Sequence, residues 1–140
     1  MVYRHENLVV CGIDGSESSF NALEWAAQEA KVRGAHLDIV CCYEQPGYSP
    51  GGGEPTGPLL ESGARKILGQ AEEQVKGEVL DYAVHLSSED PTSELLQRSK
   101  TAARAVLGAR GGSGGFADRL LGSVASAVSS RSYYSVVLIL

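Results

Sequence analysis

One stretch of the chain reads Gly108-Ala-Arg-Gly111-Gly-Ser-Gly-Gly-Phe-Ala-Asp-Arg-Leu-Leu-Gly122-Ser123. Glycines let backbone N–H groups approach an anion with no side chain in the way. A helix that begins after Gly122 adds aligned donors and the positive end of its dipole. The combination suits phosphate: the Ser123 hydroxyl can donate, the amides from Arg110 to Val124 can form a cup, and Arg110 or Arg119 can neutralise charge. The same composition also suits a surface loop without a ligand. A second candidate is Asp14, which follows an apolar run and precedes Gly15-Ser16. A carboxylate there can bond a ribose hydroxyl or help hold a metal ion such as Mg²⁺ between phosphates; the alternative is an aspartate that shapes a turn or caps a helix.

Familiar phosphate motifs do not account for these residues. A Walker loop needs a lysine and then Ser or Thr after its last glycine, whereas Ser123-Val124 follows Gly122 and the loop has no lysine. Gly112-Ser-Gly114-Gly-Phe-Ala117 matches a dinucleotide fingerprint, but it follows the fourth predicted strand and leads to Val136-Val137 instead of an acidic ribose ligand. A phosphoacceptor receiver would carry paired carboxylates after its first strand; here Asp14 stands alone. His5, His36 and His85 are scattered without ligand spacing, which argues against zinc. No serine, cysteine or lysine stands beside an evident base. Cys11, Cys41 and Cys42 fall in predicted strands with no C-x-x-C spacing and read as small buried hydrophobes in a reducing compartment. Trp25 reads as core or interface, and Tyr133 and Tyr134 as packing groups.

The elements that would position these residues alternate between strand and helix. Leu8 to Ile13 is a strand that stops at Asp14-Gly15-Ser16, with Ser16 or Ser18 available as a cap. Phe20, Leu23, Ala27 and Ala30 share one face of a helix from about Ser18 to Arg33, followed by Gly34. Leu37 to Tyr43 is a second strand. Gln45 to Pro58 then gathers four of the five prolines and five glycines, so 46–58 is expected to be a flexible loop. Helical spacing returns from Leu60 to about Gly77. Tyr82 to Leu86 is a third strand, and Asp90-Pro91 opens a helix to about Lys100. Ala103 to Ala109 is a fourth strand; a helix from Gly122-Ser123 to about Ser130 and a strand from Val136 to Leu140 complete a βαβαβαβαβ order. Such alternation predicts an α/β fold, a parallel sheet with helices on both faces, whose ligands sit beyond the strand ends where strand order reverses.

Length and charge set the frame. With 140 residues, 43% of them hydrophobic, one domain spanning 1–140 is expected. Seventeen acidic against twelve basic residues give a formal net charge of −5, with no Lys/Arg block, which argues against nucleic acid and anionic membranes as partners. The apolar runs Ile39–Tyr43 and Val136–Leu140 are far shorter than the ~18–20 residues of a membrane span. No secretory signal is evident, so a cytoplasmic location is expected.

The chain resembles the universal stress proteins. The resemblance runs from Val9-Val-Cys-Gly-Ile-Asp-Gly-Ser16 through Ala22-Leu-Glu-Trp-Ala-Ala27 to the Gly108 to Val124 segment and the terminal Val136-Val-Leu-Ile-Leu140. It implies a single-domain, open five-stranded parallel sheet of the Rossmann-like, adenine nucleotide alpha hydrolase-like kind, with homodimers formed along the last strand. It also implies ATP as ligand, with or without Mg²⁺. Carried over by position, Asp14 would meet the ribose or a metal and the backbone near Cys42 would meet adenine. Gly108, Gly111, Gly122, Ser123 and Val124 would hold ribose and phosphates.

Two departures stand out. The ATP-binding pattern of the family is Gly-x2-Gly-x9-Gly-Ser/Thr, but ten residues separate Gly111 from Gly122. Ser132-Tyr-Tyr-Ser135 also lacks the proline-bearing approach often seen before the family's last strand. The expected function is an ATP-binding, nucleotide-dependent stress-response regulator with little or no turnover. The alternatives are a dimeric interaction module without nucleotide and a slow metal-dependent ATP hydrolase.

Overall fold

The computed structural model describes residues 7–44, 59–79, 81–110, 122–132 and 135–140. The expected 46–58 loop, the Gly111–Gly115 turn, Arg119, His5, Tyr133 and Tyr134 lie outside them. Nine elements alternate: β1 (Leu8–Ile13), α1 (Glu17–Arg33), β2 (His36–Cys42), α2 (Glu61–Val75), β3 (Tyr82–Ser87), α3 (Pro91–Ser99), β4 (Arg104–Gly108), α4 (Ser123–Arg131) and β5 (Val136–Ile139). The strands form one sheet in the order β3-β2-β1-β4-β5, and every neighbouring pair is parallel.

Parallel neighbours need crossover connections, and covering both faces explains why β1 is buried along its whole length. Successive residues of β1 serve opposite faces. Val9, Cys11 and Ile13 join Leu37, Ile39 and Cys41 under Leu23 and Ala27 of α1 and Leu68 and Val75 of α2. Leu8 and Val10 join Val40 and Leu107 under Leu95 of α3 and Val128 of α4. Trp25 is partly buried against the first of these clusters. All three cysteines are free thiols.

The helix ends follow local chemistry. Ser16 caps α1 by accepting from the Ser19 amide at 3.1 Å, and Gly34 closes it. Asp90 caps α3 by accepting from the Ser93 amide at 3.0 Å, with Pro91 in the first turn, where its missing N–H costs nothing. Helix α2 keeps Gly63 and Gly69 and is held by Ala64, Leu68, Ala71 and Val75, one buried stripe at helical spacing. Among the described residues no helix is long and apolar enough to cross a membrane.

Candidate functional site

Strand order reverses between β1 and β4. In the sheet register Gly12 lies opposite Leu107, and Ile13 lies opposite Cys41. One residue further along each register, Cys42 comes beside Asp14 and Gly108 beside Ile13. Three of the residues singled out in the sequence thus meet along one end of the sheet, at the position where open α/β sheets take their ligands.

Asp14 is exposed, and its Oδ1 accepts from the Ser16 amide at 2.9 Å and the Ser16 hydroxyl at 2.6 Å. One carboxylate oxygen thus shapes the turn into α1. Gly15 makes that turn possible: its φ is +89°, and a Cβ there would come within 2.7 Å of Ile67 Cδ1.

Gly108 has a packing role that spacing did not reveal. A Cβ on it would lie 2.5 Å from Ser18 Oγ and 2.7 Å from the Ser18 carbonyl carbon, so the missing side chain lets α1 seat its first turn on the end of β4. The chain beyond is pinned at both feet. The Ala109 amide donates to the Ile139 carbonyl at 2.7 Å, and the Gly122 amide donates to the Ala109 carbonyl at 2.7 Å. Gly111 lies outside the described residues.

Gly122 is the N-cap of α4, and with its own N–H already paired it contributes conformation more than a donor. Among the described residues no side chain caps this helix. The Ser126 amide bonds the Gly122 carbonyl, so the amides of Ser123, Val124 and Ala125 precede the first intrahelical bond and have no acceptor among the described residues. Three parallel N–H groups at the positive end of a helix can receive phosphate oxygens.

Cys42 sits half-buried on the α3 side of β2. Burial, reinforced by the Glu94 carboxylate, pushes its thiol up to about 11, so it stays neutral and unreactive. Burial pushes Cys41 up to about 12, with Cys42 and Asp14 adding to the effect, and burial raises Cys11 too. The amides just past β2 are engaged: Tyr43 donates to the Ser87 carbonyl and Glu44 to the Leu59 carbonyl, both at 2.8 Å.

Sequence reasoning missed a polar cluster at the other end of the sheet. Asp38 Oδ1 accepts from His36 Nε2 and His85 Nε2, both at 2.8 Å; His36 Nδ1 reaches Asp81 Oδ1 at 2.8 Å, and Arg98 lies 3.8 Å from Asp38 Oδ2. Burial alone would raise the Asp38 carboxyl, but the bonds from His85 and His36 hold it below the usual carboxylate range. The available signal was the period of two that puts His36 and Asp38 on one strand face. The two histidines thus come together as hydrogen-bond partners; among the described residues no group of His, Cys, Asp and Glu could hold a metal.

Comparisons place this geometry among known proteins. The model of the universal stress protein family matches residues 7–139. A universal stress protein of Mycolicibacterium smegmatis is 34% identical over 133 residues, covering 94% of this chain and 45% of the relative. The chain spans about half the length of the curated relatives it matches. A universal stress protein solved in complex with cAMP is 29% identical, with a TM-score of 0.72 over 99% of this chain and 98% of that one. The Archaeoglobus fulgidus universal stress protein solved with dAMP is 22% identical with a TM-score of 0.72, covering all of both chains, a likeness of fold. With its β3-β2-β1-β4-β5 sheet and a family match running almost from end to end, the chain belongs to the universal stress protein family.

Proposed function

We propose that this protein binds an adenine nucleotide, ATP foremost, in the crevice between β1 and β4, and acts as a nucleotide-dependent regulator in stress responses. The observation that carries the reading is the row of amides at Ser123, Val124 and Ala125 that have no acceptor among the described residues, at the same end of the sheet as Asp14, where strand order reverses. Phosphate oxygens would take those amides and the Ser123 hydroxyl. Asp14 Oδ2 would take the ribose or a Mg²⁺ ion, and the Cys42 backbone would lie along the base. Gly108, Gly111 and Gly122 would let the main chain come close. The cAMP complex of the 29% identical neighbour supports an adenine nucleotide as the ligand class.

Binding with little turnover fits Asp14, because a carboxylate whose Oδ1 already accepts two bonds from Ser16 is a poor general base. We further infer a cytoplasmic homodimer: the cysteines are free thiols, and β5 ends the sheet with one edge available to a second copy. Equilibrium dialysis against ATP, ADP, AMP and cAMP, with and without Mg²⁺, tests the reading; saturable ATP binding is expected. Absence of binding by all four would overturn it and leave the dimeric interaction module.

A further inference from the structure

Ser18 behaves unlike the other helical serines. Serine hydroxyls inside helices usually bond a carbonyl three or four residues back. Ser19, Ser99, Ser129 and Ser130 do so, to Ser16, Leu96, Ser126 and Ala127. The Ser18 hydroxyl instead donates to the Ile139 carbonyl at 2.9 Å, at the end of β5, and accepts from the Arg110 amide at 3.3 Å, just past β4. The residue is 7% exposed. Its place exists only because Gly108 lacks a Cβ, which would fall 2.5 Å from the hydroxyl oxygen.

The same carbonyl of Ile139 also accepts from Ala109, whose own carbonyl accepts from Gly122 at the start of α4. Main-chain bonds thus run from β5 through Ala109 to the amides of α4, and Ser18 fastens that line to α1. We propose that Ser18 is a positioning residue: by anchoring this line to α1 it lets ligand held at the α4 amides be registered at β5. The proposal rests on the nucleotide reading and adds its means of communication. A phosphate that draws α4 inward pulls on Gly122, Ala109 and Ile139 in turn.

Hydrogen exchange resolved to residues 105–110 and 135–140 tests it, on wild type, S18A and S18C, the last keeping the side-chain volume while replacing the hydroxyl with a weak donor. Without nucleotide, both variants should exchange the Ala109 and Arg110 amides faster than wild type; unchanged rates there overturn the clamp whether or not nucleotide binds. With saturating ATP, wild type should gain protection across 135–140. The variants should lose that response and bind ATP about fivefold more weakly, the scale of one lost hydrogen bond. An ATP response at 135–140 that persists in both variants overturns the proposed communication. Wild type that ignores ATP sinks the nucleotide reading, and the ligand-free comparison still decides the clamp.

Discussion

The two ends of the sheet handle polarity in opposite ways. At the amino-terminal end of β2 and β3, His36, Asp38, Asp81, His85 and Arg98 hold one another across three elements, and the side chains of His36 and Asp38 are only 7% and 14% exposed. At the carboxyl-terminal end of β1 and β4, bonds are local, main-chain or made by the Ser18 hydroxyl, and the first amides of α4 have no acceptor among the described residues. The polar cluster lends stability because its partners are fixed. The crevice presents aligned donors that have no acceptor among the described residues. Charged residues alone would draw attention to the paired end; hydrogen-bonding capacity unmatched among the described residues draws it to the crevice.

Breaking the paired end should have the largest effect. Replacing Asp38 with Ala leaves two histidines facing a void and should cost about 3 kcal/mol in urea unfolding, without altering ATP affinity. The pH dependence follows from the depressed Asp38 carboxyl. A folded value below the unfolded one gives stability that is present above the ordinary carboxylate range and is lost as pH falls through the folded value. Unfolding free energy measured between pH 6 and pH 3 should therefore drop more steeply in wild type than in D38N; parallel curves would remove this account.

At the crevice end, G108A should cost about 2 kcal/mol, because the new methyl meets helix backbone and must push α1 outward. A thermal midpoint equal to wild type would contradict the close packing. A sharper probe of ligand capacity is S123P. The Gly122 backbone, at φ −58° and ψ 150°, already suits a following proline, and the first position of a helix tolerates one. The fold should persist while ATP affinity falls about tenfold, close to 1.4 kcal/mol, with S123A separating the hydroxyl from the amide. The smallest effect is expected from D14N. A threefold loss or so, limited to Mg²⁺-containing buffer, would assign the carboxylate to a metal; equal loss with and without Mg²⁺ would assign it to the ribose.

Much of the architecture was legible because parallel strands read as continuous apolar runs and their breaks carry strong local signals. Asp14-Gly15-Ser16, Gly34 and Asp90-Pro91 each end or begin an element where expected. The strand expected at Leu37–Tyr43 runs His36–Cys42, one residue earlier at both ends, with Tyr43 donating to the Ser87 carbonyl beyond β2. Of the two serines offered as caps, Ser16 takes that role and Ser18 turns to β5.

What local pattern could not reveal is partnership over distance. Asp38 and His85 are 47 positions apart and Ser18 and Ile139 are 121 apart, so nothing near either residue announces the other. Gly108 carries the same ambiguity: a glycine that admits a ligand and a glycine that admits a helix look alike in sequence. Its packing against Ser18 is on view, and any duty toward nucleotide adds to that.

The anchoring of residues 109 and 122 bears on the surplus residue between Gly111 and Gly122. Both feet of that arc stand on fixed rungs, Ala109 on Ile139 and Gly122 on Ala109, so its span is decided before its contour length. Lengthening a tethered arc of this size by one unit alters its closure entropy by only about 0.1 kcal/mol. A link gained or lost between them therefore leaves α4 at its station.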